Sequence, residues 1–399
     1  MFAGWYEDPG FSKPASFTTG SGTSAKPRDY REAYQSITVT TNTYLFARFV
    51  EKTTKADPIT HLRFLGAGYC GADASEFAEE ETWYQGVAIP TNCTIAFGSA
   101  SLPTVTVSGL PAGVKIDKYN RCFTGAPTAC STEKKPFFTV KISVKNKSGA
   151  TDVLTKYVTV KALPTWAVGN FDGYHMEEGE TNGTFTATVG STGKVSGKTK
   201  GGLADTTFSA NNFSGVKLVE GALCYVADVT VSYKDPTTRK TVKATDTLYL
   251  MEDVLTGLGV IGGGDKDGCG SVGVQRAWDR KDLAYLYREF DTKALKNPLV
   301  LDGITLKFGA KGRVTVAGVV DGVKASGTTY VMPVLWTDEG MTNLVAQVPV
   351  YVAKAGFCAV YDVQLTVGEG GKFDAAAVAP PSNGPHVKLE PPAIIDIFR

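Results

Sequence analysis

The sequence has few of the residues from which local catalytic motifs are built. Three histidines, His61, His175 and His386, lie far apart among its 399 residues. No HExxH pattern and no GxSxG pattern occurs, so nothing local indicates a zinc hydrolase or the nucleophile turn of a serine hydrolase. A triad assembled from distant segments stays open.

Neither sign of charge is in excess, and long apolar runs are absent. The 41 basic and 40 acidic side chains give a net charge of +1. No cluster of Lys and Arg with interleaved aromatic residues occurs, so we expect no nucleic-acid partner. No run of about 18 apolar residues occurs, so we expect no membrane span. Met1–Asp8 also lacks the basic and apolar regions of a signal peptide.

The seven cysteines form no CxxC pair, so the usual ligand spacing of a zinc site is absent. Cys122 and Cys130 are close enough in sequence to close one loop through a disulfide in an oxidising compartment. We take this pair as the candidate disulfide, with two free thiols as the alternative. Because the total is odd, at least one further thiol has no partner within the chain.

Residues that favour short strands and turns are abundant instead. The 44 glycines, the many Thr and Val residues and the small number of methionines fit strands joined by turns, as in sandwiches and barrels. We therefore predict an all-β protein. One segment, Arg276–Phe290, predicts a helix, because four apolar residues recur on it at helical spacing: Trp278, Leu283, Leu286 and Phe290.

The clearest internal feature is a repeat. Gly303–Gly318 follows the pattern of Gly183–Gly197: a run of period two, a turn, and a second run of period two. This pattern predicts a β-hairpin in each copy. Four turn glycines are expected to take backbone conformations closed to other residues: Gly190, Gly193, Gly309 and Gly312.

The repeat defines two related halves, at about 165–262 and 298–375, joined by a Gly-rich loop and the helix at 263–297. We expect eight or more antiparallel strands from the two halves to close into one barrel within 165–375, since closure removes exposed edges. Two separate sandwiches are the alternative. Pro349 predicts an edge or bulged strand, because proline donates no ladder hydrogen bond.

Two resemblances to bacterial surface modules cover the N-terminal part. Phe2–Tyr6 followed by Tyr44–Phe49 resembles the Listeria–Bacteroides (internalin B-repeat) family, which implies a small β-grasp fragment at 1–57. That family has a strand before the Gly-Trp-Tyr residues, so we expect the chain to be truncated at its N-terminus. Gly109–Ile116 and Phe123–Thr128 resemble the putative-Ig family of cadherin-like domains, which implies an Ig-like β-sandwich at 58–164.

A third resemblance covers the repeat. The segments Trp278–Lys281, Gly303–Gly318 and Ala355–Tyr361 resemble the duplicated barrel-like domains of uncharacterised secreted proteins from bacteria of the Lentisphaera and Verrucomicrobia kind. The resemblance implies an extracellular or cell-surface location and carries no known activity. Residues 376–399 then form a Pro-rich tail, whose proline-rich part we expect to be extended and solvated.

The Gly-rich segment carries two weak site motifs. Gly268–Gly273 is a formal GxGxxG, but no buried strand is predicted before it and no βαβ unit around it, so we expect a flexible connection and no cofactor. Asp265 and Asp267 resemble the start of a calcium loop whose third ligand and terminal Glu are missing. They are weak metal candidates, and a solvated turn is the alternative.

A further acidic cluster lies in the first half of the repeat, where Glu177, Glu178 and Glu180 follow Tyr174 and His175. Two carboxyl groups held a fixed distance apart are what glycosidase acid and base chemistry requires. Adjacent acids on a solvated loop are the alternative interpretation of this cluster.

All-β modules in series without a catalytic motif are typical of a surface or secreted interaction protein. We expect a non-enzymatic adhesion, binding or scaffold protein that contacts glycan or protein, and the oligomeric state stays open. The alternative is a carbohydrate-active enzyme with Asp, Glu and Tyr side chains in the barrel mouth. Two carboxyl groups converging beside exposed aromatic residues in a deep pocket would favour the enzyme, whereas a filled barrel would favour binding.

Overall fold

The computed structural model describes residues 2–6, 46–49, 59–68, 80–99, 103–177, 180–202, 204–254, 256–264, 270–282, 299–301, 303–338, 341–367 and 373–377. These residues form β-strands and short 3₁₀ turns, and no helix of seven or more residues occurs among them. The predicted all-β class is confirmed. None of the helical turns in these ranges is long and apolar enough to cross a membrane.

The chain divides into two compact units. The first comprises Met1–Gly68, Ala72–Trp83 and Ile89–Lys161. The second comprises Tyr69–Gly71, Tyr84–Ala88 and Ala162–Arg399. Within the first unit, β1 (Phe2–Tyr6) and β2 (Phe46–Phe49) form an antiparallel pair. Most of the β-grasp fragment expected at 1–57 lies outside the described residues, so that assignment stays a prediction.

The rest of the first unit is two four-stranded antiparallel sheets. One sheet has the order β3-β5-β8-β7, from β3 (Thr60–Leu65), β5 (Thr94–Gly98), β7 (Val114–Asp117) and β8 (Cys122–Gly125). The other has the order β4-β10-β9-β6, from β4 (Glu80–Tyr84), β6 (Thr104–Ser108), β9 (Phe138–Lys145) and β10 (Thr151–Lys161).

Aromatic side chains from both sheets meet in the core of this unit. The rings of Phe64 on β3 and Phe123 on β8 meet edge-on at 5.4 Å, and Phe123 lies 6.0 Å from the ring of Trp83 on β4. All three are buried. Buried and outward side chains alternate along β9, so one face of its sheet is directed towards this core. The sandwich-like architecture is therefore confirmed, and its specific Ig-like relationship stays a prediction.

The second unit begins with an eight-stranded closed barrel. The ring runs β14-β13-β12-β11-β19-β18-β17-β16 and is closed by pairing of β14 with β16. Its strands are β11 (Gly169–Glu177), β12 (Glu180–Val189), β13 (Val195–Gly201), β14 (Thr206–Ala210), β16 (Ala222–Lys234), β17 (Thr241–Asp253), β18 (Leu258–Gly264) and β19 (Gly270–Gln275). A ninth strand, β15 (Gly215–Val219), pairs with the first part of β16.

The barrel corrects two expectations about the repeat. It closes without any strand of the second half, and the end of β18 and all of β19 come from the Gly-rich segment that was predicted to be a flexible loop. The glycines of this segment permit close packing. A Cβ on Gly273 would lie 2.8 Å from the Phe185 ring, and one on Gly263 would lie 3.1 Å from a methyl group of Leu248. The segment is therefore part of the barrel wall, with residues 265–269 outside the described ranges.

The helix predicted at Arg276–Phe290 is also wrong over its described part. Ala277–Asp279 forms a single 3₁₀ turn, and Arg280 has extended backbone angles. The physical reason is that polar side chains fasten this segment to the barrel: Asp279 accepts hydrogen bonds from Asn170, and Arg280 donates to the carbonyl oxygen of Gly257. Residues 283–298 lie outside the described ranges.

The second copy of the repeat forms two four-stranded sheets of sequential antiparallel strands. The first is β20 (Leu299–Leu301), β21 (Ile304–Phe308), β22 (Arg313–Val320) and β23 (Val323–Tyr330). The second is β24 (Met332–Asp338), β25 (Met341–Val352), β26 (Phe357–Val367) and β27 (Phe373–Ala377). Buried side chains of both sheets share one apolar cluster, which includes Leu306, Val316, Val348 and Tyr361.

The repeat extends beyond the two hairpins. The hairpin β12–β13 and the hairpin β21–β22 are offset by 119 residues, as Gly190 is from Gly309. Adding the same offset to the residue numbers of β16 gives 341–353, which matches β25 (Met341–Val352). The sheet orders β15-β16-β17-β18 and β24-β25-β26-β27 also correspond. The two copies therefore share their strand topology, although the closed ring belongs to the first.

Pro349 lies in an inner strand, contrary to the expected edge position. β25 has β24 on one side and β26 on the other. However, β24 begins opposite Gln347, and the register pairs Pro349 with Val360 of β26. Because β24 has no residue opposite Pro349, the proline, which has no N–H to donate, interrupts no hydrogen bond to β24.

Candidate functional site

The metal candidates Asp265 and Asp267 fall outside the described residues, so the calcium-loop hypothesis stays a prediction. In the part of the chain that the structure describes, no three His, Cys, Asp or Glu side chains are grouped so as to hold a metal ion. The described part of the GxGxxG motif, Gly270–Gly273, lies in β19 and pairs with β11 and β18. Its backbone N–H groups serve antiparallel ladders, which is not the helix N-terminus that binds a pyrophosphate.

Cys122 and Cys130 are free thiols, so the disulfide expected between them is not formed. The reason is the path of the chain. Cys122 pairs with Asp117 and with Thr94 in the sheet β3-β5-β8-β7. Cys130 directly precedes Ser131, whose N–H donates to Val160 of the opposite sheet at 2.9 Å. Between the two cysteines the chain has crossed the sandwich.

The barrel interior is filled with side chains. The rings of Phe185 and Phe208 stack with centroids 5.4 Å apart and an interplanar angle of 8°. The ring centroid of Tyr225 lies 5.6 Å from that of Trp166 and 5.1 Å from that of Phe213. These residues belong to one buried cluster of the barrel. A ligand therefore has to bind at a barrel mouth or on an outer surface.

One end of the barrel is closed by a polar network with a structural role. Gln275 is fully buried, and its Nε2 donates to the carbonyl oxygens of Thr165 at 2.8 Å and Val168 at 2.6 Å. Its Oε1 accepts from the N–H of Gly259 at 3.2 Å. Arg280 donates to the Gly257 carbonyl oxygen at 2.6 Å. These polar groups are used to satisfy backbone atoms, which fixes the chain and leaves little for a ligand.

An ion pair lies on the outer side of the same end. The Arg276 guanidinium makes two hydrogen bonds to the Asp172 carboxylate, one of them from Nη2 to Oδ1 at 3.0 Å. Its central carbon lies 3.5 Å from the centroid of the Tyr330 ring. Burial lowers the pKa of Arg276, but the hydrogen bonds and charge of Asp172 raise the pKa by more, so it lies above its ordinary value. Arg276 therefore stays charged and links the barrel to β23.

At the other barrel mouth, three side chains form a chain of contacts. His175 on β11 is paired directly with Ser271 on β19, and the distance from His175 Nδ1 to Ser271 Oγ is 2.9 Å. The distance from His175 Nε2 to Glu177 Oε1 is 3.5 Å. Asn182 Nδ2 donates to Glu177 Oε2 at 3.1 Å. We call Ser271, His175 and Glu177 the mouth cluster.

The sequence indicated only part of the mouth cluster. His175 and Glu177 are near neighbours in the chain and belong to the acidic stretch considered for glycosidase chemistry. Ser271 lies 96 residues from His175, inside the GxGxxG segment, and the sequence assigned its side chain no role. A β-bulge between His175 and Met176 shifts the register at this point. Sequence patterns do not specify which residue of a distant strand comes to lie opposite His175.

The outer face of the sheet β4-β10-β9-β6 carries an aromatic pair, the exposed Phe137 and the partly exposed Tyr157. The rings of Phe137 and Tyr157 meet edge-on at 4.8 Å, and Phe137 is 42% exposed. The register places Thr139 opposite Tyr157 and Lys141 opposite Thr155 on the same face, since directly opposite residues of an antiparallel pair share a face. We call these five residues the aromatic face.

A separate polar cavity of about 340 Å³ lies where β16 changes partner from β15 to β14. Its lining includes hydroxyl, amide and carboxylate groups: Ser209, Asn211, Asn212, Ser214, Asp228 and Thr230. Asp228 accepts a hydrogen bond from Thr247 Oγ1 at 3.1 Å. Such a lining suits polar ligands, but no aromatic side chain is part of it.

Comparisons with known proteins place the chain in no family. No family model matches it, and no curated protein matches it. A crystal structure of the human desmocollin-1 ectodomain aligns over 77% of this chain and 74% of that chain, with 10% sequence identity and a TM-score of 0.18. At that TM-score the likeness carries no inference about fold or function.

Proposed function

We propose that the chain is an extracellular or cell-surface adhesion protein whose sandwich unit binds glycan, without turnover, through the aromatic face. The observation that supports this best is the pair of the exposed Phe137 and the partly exposed Tyr157 beside threonine hydroxyls on one sheet face. Large apolar side chains exposed together on a folded domain mark an interaction surface. The extracellular location is supported by the sequence resemblances to secreted and surface modules.

The chemistry of the aromatic face suits a sugar. A pyranose presents an apolar C–H side that stacks on an aromatic ring, and hydroxyls at its rim that require donors and acceptors. Tyr157 offers both a ring and a polar tip. Thr139 and Thr155 offer hydroxyls, and Lys141 offers an ammonium donor, all on the same face. The strands hold these groups at fixed spacings, which lowers the entropy cost of binding.

The charge around the aromatic face favours a glycan over nucleic acid. Lys141 and Lys145 point outwards from β9, whereas the carboxylate residue Glu80 is exposed on β4 of the same sheet. Both signs of charge therefore border the face, and no strong positive field attracts a polyanion. The filled barrel supports binding over hydrolysis of a polymer, because buried side chains occupy its interior.

The test is affinity electrophoresis of the purified chain through gels containing soluble polysaccharides, together with a glycan array. We expect at least one glycan to retard the chain, and Phe137→Ala and Tyr157→Ala each to weaken binding by about tenfold or more. Tyr119→Ala is the matched control, because Tyr119 is an exposed aromatic residue elsewhere in the same unit. Equal losses from Tyr119→Ala and Phe137→Ala, or no retention on any glycan, would contradict the proposal.

A hydrolysis assay with the same glycans separates the proposal from a carbohydrate-active enzyme. The bound glycan should be recovered with unchanged chain length after prolonged incubation. Shortening of the glycan would favour the enzyme instead.

A further inference from the structure

We propose that Ser271 is an activated nucleophile and that the barrel mouth hydrolyses small acyl esters, with His175 as general base and Glu177 as the residue that orients the imidazole. This activity belongs to the barrel and does not rest on glycan binding by the sandwich. The mouth cluster carries the inference through its geometry, its rigidity and its access to solvent.

The geometry assigns a role to each nitrogen of His175. Glu177 Oε1, 3.5 Å from Nε2, favours the proton on that nitrogen. Nδ1 then has a free electron pair directed at Ser271 Oγ, 2.9 Å away, and the Ser271 hydroxyl donates to it. A hydroxyl, a base and a carboxylate in this order are the arrangement that activates a serine. In the common serine hydrolases Nε2 faces the serine and Nδ1 faces the carboxylate. Here Nδ1 faces Ser271 and Nε2 faces Glu177, so each role is taken by the other nitrogen.

The fold holds the three groups on rigid elements. His175 and Ser271 are a directly opposed pair on neighbouring strands of a closed barrel. The bulge after His175 alters the course of β11 just before Glu177, and the Asn182 amide fixes the Glu177 carboxylate through a hydrogen bond of 3.1 Å. A site built on strands is held more closely than one built on loops.

The mouth cluster is also reachable. The side chains of His175 and Glu177 are 21% and 24% exposed, and Ser271 is partly exposed. Gln275, on the same strand as Ser271, is fully buried and makes its hydrogen bonds to backbone groups. His175, in contrast, contacts the side chains of Ser271 and Glu177 through its ring nitrogens.

The space next to Ser271 favours a small acyl group. On the side away from His175, Ser271 is opposite Gly263, where an added Cβ would lie 3.1 Å from Leu248. Below the mouth, aromatic and aliphatic side chains fill the barrel. An acetyl group has the size to approach Ser271 Oγ under these restrictions, whereas a long acyl chain has no room inside the barrel.

The reaction balances without a co-reactant other than water. Ser271 Oγ bonds to the ester carbonyl carbon and its proton passes to His175 Nδ1. The bond from that carbon to the alcohol oxygen breaks, and the alcohol leaves with the proton. Water then attacks the acylated Ser271, giving its proton to Nδ1, and the carboxylic acid leaves as that proton returns to Oγ. Ester and water become acid and alcohol.

The first experiment labels the full chain with a fluorophosphonate and maps the adduct by mass spectrometry. The phosphorus–fluorine bond breaks, fluoride leaves, and a phosphonylated serine remains. We expect one adduct per chain, on the peptide containing Ser271. An absence of label on Ser271 in the folded wild-type chain overturns the proposal, and this outcome needs no variant.

The second experiment measures p-nitrophenyl acetate hydrolysis. Ser271→Ala and His175→Gln should lower the protein-dependent rate by about 100-fold or more, as expected for loss of nucleophile or base. Glu177→Gln should lower kcat about tenfold with little change in KM, at an unchanged melting temperature, which a merely structural role would not produce. Ser214→Ala, at the polar cavity, is the control and should keep the wild-type rate. A rate unchanged in Ser271→Ala would show hydrolysis by exposed histidine alone and overturn the proposal.

Discussion

Gly193 and Gly312 occupy the same place in two hairpin turns 119 residues apart, and at both the space for a side chain is already filled. Gly193 has φ +80° and a Cβ on it would lie 2.6 Å from the Cα atom of Gly86. Gly312 has φ +65°, and a Cβ on it would overlap the Trp278 ring, with one ring atom at 2.7 Å. The preceding glycines, Gly190 and Gly309, have no positive φ. Two of the four turn glycines thus have the predicted backbone role.

Gly193→Ala and Gly312→Ala should each destabilise the second unit by about 3 kcal/mol, from left-handed backbone strain and overpacking together. Gly190→Ala and Gly309→Ala are the matched controls. A Cβ at either position is no closer than 3.4 Å to a neighbour, and we expect a change below about 1 kcal/mol. Urea unfolding followed by tryptophan fluorescence measures the difference. Equal effects at the first and second glycine of a turn would contradict this explanation.

Asp172→Asn should lower the free energy of unfolding by about 2 kcal/mol. The Asp172 carboxylate is nearly buried and receives two hydrogen bonds from Arg276, whose side chain is partly exposed. A fully buried pair costs about 3–5 kcal/mol to break, and the exposure of Arg276 reduces that cost. Asp246→Asn, on an exposed part of β17, serves as the comparison. Equal urea midpoints for the two variants would show that the ion pair contributes nothing.

Asp282 should make a pH-dependent contribution to stability. Hydrogen bonding from Arg280 lowers its pKa to about 2, below its ordinary value. The stabilisation is therefore complete above the ordinary pKa of about 4 and is lost as the pH falls towards 2. Because the Asp282 side chain is 51% exposed, we expect about 1 kcal/mol or less.

The measurement for Asp282 is urea unfolding of wild type and Asp282→Asn across this pH range. The difference between the two should be constant from neutral pH to about pH 5 and should shrink below about pH 4. A difference that grows on acidification would contradict the assigned pKa shift.

The described cysteines should fall into two reactivity classes. Cys93, Cys224 and Cys358 are buried, and burial raises the pKa of each thiol, that of Cys358 to about 12. Only the thiolate is strongly nucleophilic, so these three should resist alkylation until the chain unfolds. Cys122 and Cys130 are partly exposed and should react in the native state, Cys122 the more slowly because partial burial and then the charge of Asp117 raise its pKa. Peptide mapping after iodoacetamide treatment decides this, and recovery of a Cys122–Cys130 disulfide would contradict the structure.

Composition and period-two alternation determined the all-β class, and the repeated pattern determined the two hairpins. Period-two alternation places one set of side chains on one face of a strand, and this pattern depends only on neighbouring residues. The shared pattern around Gly193 and Gly312 therefore predicted corresponding hairpins, and the structure contains both.

The tertiary structure decided which strands close the barrel. Closure depends on pairing of β19 with β11 and of β14 with β16, between segments distant in the chain. Gly263, Gly270 and Gly273 resembled loop residues because the requirement for small residues comes from side chains such as the Phe185 ring and from neighbouring backbone, which local sequence does not contain. Likewise, the apolar residue Trp278 suggested a helix face but packs against the turn at Gly312.

The mouth cluster most clearly separates what the sequence determined from what the tertiary structure decided. The sequence places His175 and Glu177 two residues apart, but the structure decided that both lie on one strand, β11, where a solvated loop was the alternative expectation. Only the barrel register brought Ser271 opposite His175, and a shift of one residue would turn the Ser271 side chain to the other face of the sheet. Local order along the chain fixes the period of the strands, whereas long-range packing fixes their register, and the chemistry of this site depends on the register.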